Sequence, residues 1–277
     1  MIDWVLSHQG GLRLGFFAGV LLVMVLWESL AARRPLRHSR WRRWPANLGI
    51  VIVGTLLVRV LFPTAAIAVA TTAGEQGWGL LGAIDLPTPL EVVLAVVLLD
   101  LAIYLQHVMF HAVPLLWKLH MVHHADQDFD VTTGSRFHPV EIVLSMIIKL
   151  GVVLAIGASP IAVFFFHVLL NATAMFNHGN VRIPKNLDRW LRLLVVTPDM
   201  HRVHHSVVIG ESNSNFGFNL PWWDRLLGTY RSQPAAGHQG MAIGVRQLQN
   251  GCPMGLWGLL KLPFASSPGD YAIDKRD

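Results

Sequence analysis

Residues 90–124 read LEVVLAVVLLDLAIYLQHVMFHAVPLLWKLHMVHH. The run from Leu90 to Val113 is apolar for long enough to cross a bilayer. It ends in an HxxxH pair (His107, His111), and an HxxHH triplet (His120, His123, His124) follows almost at once. On a helix, spacings of three and four put side chains on one face, so each cluster can aim two or three imidazoles at one point. Imidazole nitrogen is a strong ligand for first-row transition metals. The stretch therefore predicts a membrane helix that delivers metal-binding histidines to one bilayer surface.

The same signal recurs downstream. Of the chain's 14 histidines, eleven lie between His107 and His205, including a second HxxHH triplet (His201, His204, His205) and two singles, His138 and His178. A given HxxHH arises by chance in about one chain of this length in thirty. Two of them beside an HxxxH predict a polyhistidine metal centre, binuclear from the number of nitrogens. His138 and His178 flank the next apolar pair of segments and are expected to join the set. His167, inside an apolar run, is expected to pack or to support the centre from outside the ligand set, and His8, His38 and His238 to be solvated. Asp100 and Tyr104 continue the face of His107 and His111, so Asp100 is expected to orient an imidazole from behind; helix packing is the alternative. Asp126, Asp128 and Asp130 read either as network acids or oxygen ligands or as a solvated turn, with Asp126, two residues after His124, the strongest candidate for a supporting role.

Composition sets the surroundings. The chain of 277 residues is 53% hydrophobic and 14% charged, with mean hydropathy +0.45, whereas soluble domains carry about a quarter charged residues. Five stretches are candidate membrane segments: Gly11–Ala31, Ala46–Ala70, Leu90–Val113, Val140–Gly157 and Ile161–Phe176. The last two, joined at Gly157–Pro160, are short for full spans, which leaves a re-entrant hairpin open. Six arginines between Arg33 and Arg43 read as a cytoplasmic loop obeying the positive-inside rule, not as a nucleic-acid patch. That orientation sends Thr71–Pro89 to the far side and every clustered histidine to the cytoplasmic face. Arg59 and Lys149 interrupt apolar runs and are expected to snorkel, pair or line a cavity. The first apolar run meets Glu28 and arginines, not a cleavage site, and reads as a retained anchor. Cys252 is the only cysteine, which excludes an internal disulfide. Met254–Phe264 is expected to lie along the interface or to pack as a cap helix. The sequence has no HExxH, GxSxG or phosphate-binding loop, which disfavours zincin and serine-hydrolase chemistry.

The boxes HVMFH (107–111), HMVHH (120–124), DVTTGSRFHP (130–139), FNHGN (176–180), TPDMHRVHH (197–205) and NSNFGFNLPWWDRLLGTY (213–230) resemble the fatty acid hydroxylase/sterol desaturase superfamily of membrane non-haem di-iron enzymes. The resemblance covers about half the chain. It implies an all-α, multi-span bundle of four to five membrane segments under a cytoplasmic, histidine-rich cap. It divides the chain into N-terminal membrane segments (1–89), a catalytic unit (90–231) and a cytoplasmic or interfacial tail (232–277). It implies that His107, His111, His120, His123, His124, His138, His178, His201, His204 and His205 hold two irons, which zinc can displace during preparation. Asp199 and Asn215 fall in matching boxes and are expected to brace the ligands, as Asp100 and Asp126 are. The implied reaction is O₂-dependent hydroxylation or desaturation of a lipid, with electrons from a separate donor such as cytochrome b5 or a ferredoxin. The implied location is a membrane, taken as the bacterial cytoplasmic membrane. The rival expectation is a polyhistidine transporter or sensor without oxygenase activity. Transport calls for ligands strung along a path near mid-bilayer, and these histidines gather at one surface.

Overall fold

A computed structural model describes residues 1–63, 65–267, 269, 271 and 273. A short helix, α1 (Ile2–Ser7), leads into α2 (Gln9–Leu30), followed by α3 (Arg40–Leu61), α4 (Ala65–Glu75) and α5 (Thr88–Ala112). Then come α6 (Pro114–His124), the hairpin α7 (Pro139–Ile156) and α8 (Pro160–Asn177), and the cap helices α9 (Lys185–Leu191), α10 (Pro198–His204), α11 (Ile209–Ser212), α12 (Trp222–Leu226), α13 (Gly237–Gly240) and α14 (Leu256–Ala265). Among the described residues no strand forms beyond two isolated bridges, Ala32 with Val181 and Ser206 with Ile243.

Among the described residues, five helical segments are long and apolar enough to cross a membrane: Gln9–Leu30, Arg40–Glu75, Thr88–Ala112, Pro139–Ile156 and Pro160–Asn177. The chain is a multi-pass membrane protein. Exposed side chains such as Leu22, Leu26 and Leu30 on α2 would be costly against water and are at home against lipid. Each helix of the hairpin has 18 residues, a rise of about 27 Å, which nearly matches the hydrocarbon core.

Lipid tails are as apolar as leucine, so the helices associate through close packing of small residues. Ala66, Ala70, Ala95, Ala158 and Ala162 line the buried seam where α4, α5, α7 and α8 meet, with Leu99, Val153, Val163 and Phe166 filling between them. The hairpin turn needs glycine. Gly157 ends α7 with φ +68°, a region costly for side chains with a Cβ, and an added Cβ would stand 2.2 Å from the Trp78 carbonyl oxygen.

Proline sets the angles at the functional end. Val113 precedes Pro114 and is held extended, φ −93° and ψ 115°. α5 therefore stops after His111, and the chain turns before the triplet begins on α6. Pro139, Pro160 and Pro198 each occupy the first turn of a helix behind a side-chain cap from His138, Ser159 and Thr197. The C-terminal ends of α5 and α8, the N-terminal end of α7, and α6 and α10 then converge at one end of the bundle. The apolar segment near the C-terminus is a packed helix: α14 lays Leu259 and Leu262 against Ile50, Trp117 and Met121 and leaves Trp257 and Phe264 exposed.

Candidate metal centre

Nine histidines meet at that end of the bundle. His107, His111, His120, His124 and His204 form one group, and His123, His178, His201 and His205 a second; within each, the ligating atoms lie within 4.8 Å of one another. The groups adjoin, since the His124 ring stacks on that of His205 at 4.5 Å and His120 lies 5.2 Å from His123. All nine are buried.

The tautomers explain what this arrangement is for. A backbone carbonyl can only accept, so an Nδ1 against one must carry the proton. His107 Nδ1 donates to Phe216 O, His178 Nδ1 to Ala174 O and His204 Nδ1 to Ser214 O, each at 2.8 Å. His120 Nδ1 donates to the Glu141 carboxylate at 2.7 Å, and His111 Nδ1 to Asn213 Oδ1 at 3.1 Å. In all five rings Nε2 is left as a bare lone pair directed inward. His107 Nε2 then faces His120 Nε2 at 3.1 Å with no proton between them. The lone pair of His178 Nε2 is approached by the Nε2 atoms of His123, His201 and His205 at 3.1, 3.1 and 3.2 Å, and it can accept a proton from only one of them. Opposed lone pairs at that distance repel unless a cation lies between. Nitrogens 3.1 Å apart fit adjacent ligands of one ion with metal–nitrogen bonds of about 2.1 Å. His111 Nε2, His204 Nε2 and both ring nitrogens of His124 are buried without a hydrogen-bond partner, a costly state that metal ligation relieves. The residues present fit a pair of transition-metal ions.

Electrostatics agree. Burial first, and neighbouring imidazoles second, push His123, His124, His201, His204 and His205 well below the ordinary histidine range. Burial alone pushes His120 down to about 3. The rings are neutral, the form that binds metal.

Five expected residues stand apart from the nine, His138 among them. It caps α7, with Nδ1 accepting from Val140 N at 3.2 Å, while Nε2 donates to Leu260 O at 3.2 Å. Both nitrogens are engaged away from the core. Asp100 also touches no imidazole; it accepts from Asn219 N, Leu220 N and Trp223 Nε1. Asp126 makes a two-pronged ion pair with Arg43, 2.7 Å on each prong, and accepts from Asn47 and Thr133. Asp199 pairs with Arg33 at 3.0 Å and with Arg202. Asn215, at φ +53°, bonds to Met200 O, Arg231 O and Arg231 N. His238, expected in solvent, is buried.

These residues act on loops instead. Asp100 anchors residues 219–223, and Asp224 grips the Phe216 and Gly217 amides at 2.8 and 2.9 Å and the Thr229 hydroxyl. Thr229 in turn meets Tyr104 on α5 at 2.8 Å. The segment so clamped is the one whose Asn213, Ser214 and Phe216 oxygens fix His111, His204 and His107. On the other flank, Glu28 accepts from Val131 N and Asn180 N, and Arg43, wholly buried, joins Asp126 to Asp130. The acidic stretch after the first triplet is thus a buried network, and part of the arginine run is core. Gly134 lies so close to α8 that a Cβ would stand 2.4 Å from Ala174 O and 3.0 Å from His178 Nδ1. Two imidazole partners were missed in the sequence, Glu141 and Asn213. An acid opening an apolar helix was the available signal for Glu141.

A multi-span helical bundle that buries nine imidazoles in two adjoining groups at one end defines a class of membrane protein with the means to hold metal. The fatty acid hydroxylase family model matches residues 92–229, the stretch that holds all nine, and the chain belongs to the fatty acid hydroxylase/sterol desaturase superfamily. It is 33% identical over 149 residues to the ornithine lipid hydroxylase OlsE of Rhizobium tropici, covering 53% of this chain and 44% of that one. It is 30% identical over 134 residues to human alkylglycerol monooxygenase, 48% of this chain and 29% of the relative. It is 26% identical over 150 residues to mouse cholesterol 25-hydroxylase, 52% and 48% respectively. The matched region thus spans less than half the length of these relatives. No solved structure matches the chain.

Proposed function

We propose that this protein is an O₂-dependent lipid hydroxylase whose nine buried histidines hold two iron ions. The supporting observation is the opposed lone pairs of His107 and His120 together with the convergence of three further imidazole nitrogens, from His123, His201 and His205, on the single lone pair of His178 Nε2. The three relatives named above oxygenate an ornithine lipid, an alkylglycerol and a sterol by their names, which favours hydroxylation over desaturation and a lipid over other substrates. Bound iron would supply the capacity to activate O₂ beside an unreactive C–H bond.

The chain's own residues create the conditions for that chemistry. Carbonyls of Phe216, Ala174 and Ser214 hold the Nδ1 protons and keep each Nε2 directed inward. Glu141 places negative charge behind His120 and strengthens it as a donor. Phe137, stacked on His123 at 4.4 Å, and Phe129, stacked on His178 at 5.4 Å, shield the rings from water. The catalytic unit is residues 90–231, braced from 1–89 by Glu28 and Arg43. The site faces the cytoplasm of a bacterial cell, where a separate reductase system, cytochrome b5-like or ferredoxin-based, delivers electrons. The burial of all nine rings opposes the transporter alternative, in which ligands must exchange with an ion path.

The test is ¹⁸O₂ labelling of cells expressing the wild type or His204→Ala, followed by lipid mass spectrometry. A lipid alcohol carrying one ¹⁸O atom should appear with the wild type alone. Identical lipid profiles in the two strains refute the activity.

A further inference from the structure

A second built site lies outside the histidine core. α9, the turn after it and the segment following α12 enclose a cavity of about 440 Å³ beside α10. Arg33, Lys185, Arg189, Arg192, Arg225 and His238 face it, against two carboxylates, Asp188 and Asp199. Both carboxylates are already neutralised, Asp199 by Arg33 and Arg202 and Asp188 by Arg192 at 2.7 Å. Among the described residues, Lys185, Arg189 and Arg225 form no ion pair. The walls also hold buried polar atoms without partners. His238 is 5% exposed with neither ring nitrogen hydrogen-bonded, its Nε2 standing 3.6 Å from Asp199. Arg192, 4% exposed, donates one nitrogen to Ser232 O and leaves Nε unpaired.

Apolar side chains on the same segments, outside the cavity's lining, set the class of ligand. Leu187, Trp190 and Leu194 on and after α9, and Leu226 and Leu227 at α12, are all exposed. They stand on the segments that carry Arg189 and Arg225, and these segments are tied together by Trp222 to Leu193 O and Arg225 to Arg192 O. Cations interleaved with leucine and tryptophan on short helices at the polar end of a membrane bundle suit an anionic lipid, its headgroup in the cavity and its chains along the rim. A free anion would leave the apolar rim without a use.

We propose that this cavity binds the anionic headgroup of a membrane lipid, at a position separate from the nine-histidine core. Binding there stands independently of the hydroxylase reading. The cavity wall includes Asp199 on α10, two residues before His201, so occupancy bears on the helix that carries two of the core imidazoles.

The full-length protein, in micelles of a neutral detergent, is titrated with dioctanoyl phosphatidic acid, dioctanoylglycerol and inorganic phosphate, read by tryptophan fluorescence. Phosphatidic acid should bind at least tenfold more tightly than either of the others. The R189Q/R225Q variant should lose at least tenfold in that affinity, since two charge-assisted contacts are removed, with its circular dichroism unchanged and its melting lowered slightly at most by loss of the Arg225–Arg192 bond. Both positions are exposed; should the double variant melt early, R189Q alone should show a smaller loss of the same kind. Equal affinity for the neutral glyceride would reduce the site to its apolar rim, and equal affinity for phosphate would make it a free-anion site; either overturns the proposal. So does a double variant that binds phosphatidic acid as the wild type does, including one that has lost binding of an acidic redox protein instead.

Discussion

Replacing Glu141 by glutamine keeps the volume of the side chain and removes its charge. In the native protein one carboxylate oxygen lies 2.7 Å from His120 Nδ1, and the residue is 3% exposed. The other oxygen has no hydrogen-bond partner, so His120 is the principal recipient of that charge. Losing a carboxylate behind a ligating imidazole lowers metal affinity by about 10–100-fold, equivalent to about 1.4–2.8 kcal/mol. Competition between Glu141→Gln and a graded series of chelators, with cobalt or iron under anaerobic conditions, measures the change directly. His138→Ala is the matched comparison three residues away. Its loss removes a helix cap worth about 1 kcal/mol of stability, yet it should leave metal affinity within a factor of two. The reasoning fails if Glu141→Gln binds metal as the wild type does, or if His138→Ala empties the site.

Arg43→Ala strands Asp126 and Asp130 in the interior and should cost about 3–5 kcal/mol, seen as an early loss of helical signal on heating; a melting curve that matches the wild type would show the network to be dispensable. Gly134→Ala drives a Cβ towards Ala174 O and His178 Nδ1 and should lower metal occupancy along with stability. Gly157→Ala, at the opposite end of the bundle, should lower stability alone, and equal metal loss in both would refute a local effect. His167→Ala should destabilise by about 1–2 kcal/mol as a buried polar truncation and retain full metal per folded molecule. Metal loss comparable to that in His204→Ala would place His167 in the ligand set.

The chain made its membrane character and most of its centre legible through periodicity. Spacings of three and four within single helices are local, so HVMFH, HMVHH and MHRVHH announce shared faces whatever the rest of the chain does. Long-range contacts carry no such signature. Glu141 meets His120 across 21 positions and His138 meets Leu260 across 122, so neither role follows from spacing. Asp100 sat on the correct helix face for an imidazole, but its oxygens are taken by loop amides 119 and 120 residues away. The arginine run shows the same limit. Charge density alone marked it as a loop at the membrane surface, and only the fold reveals that Arg43 reaches inward to three aspartates.

Iron counted per folded chain tests the central claim most directly. Protein purified without oxygen, reconstituted with ferrous iron and freed of excess metal should hold close to two irons per chain, with no haem absorption. His123→Ala and His204→Ala, one from each group, should each fall to about one or less. A wild-type value of one iron or fewer after full reconstitution would contradict the account.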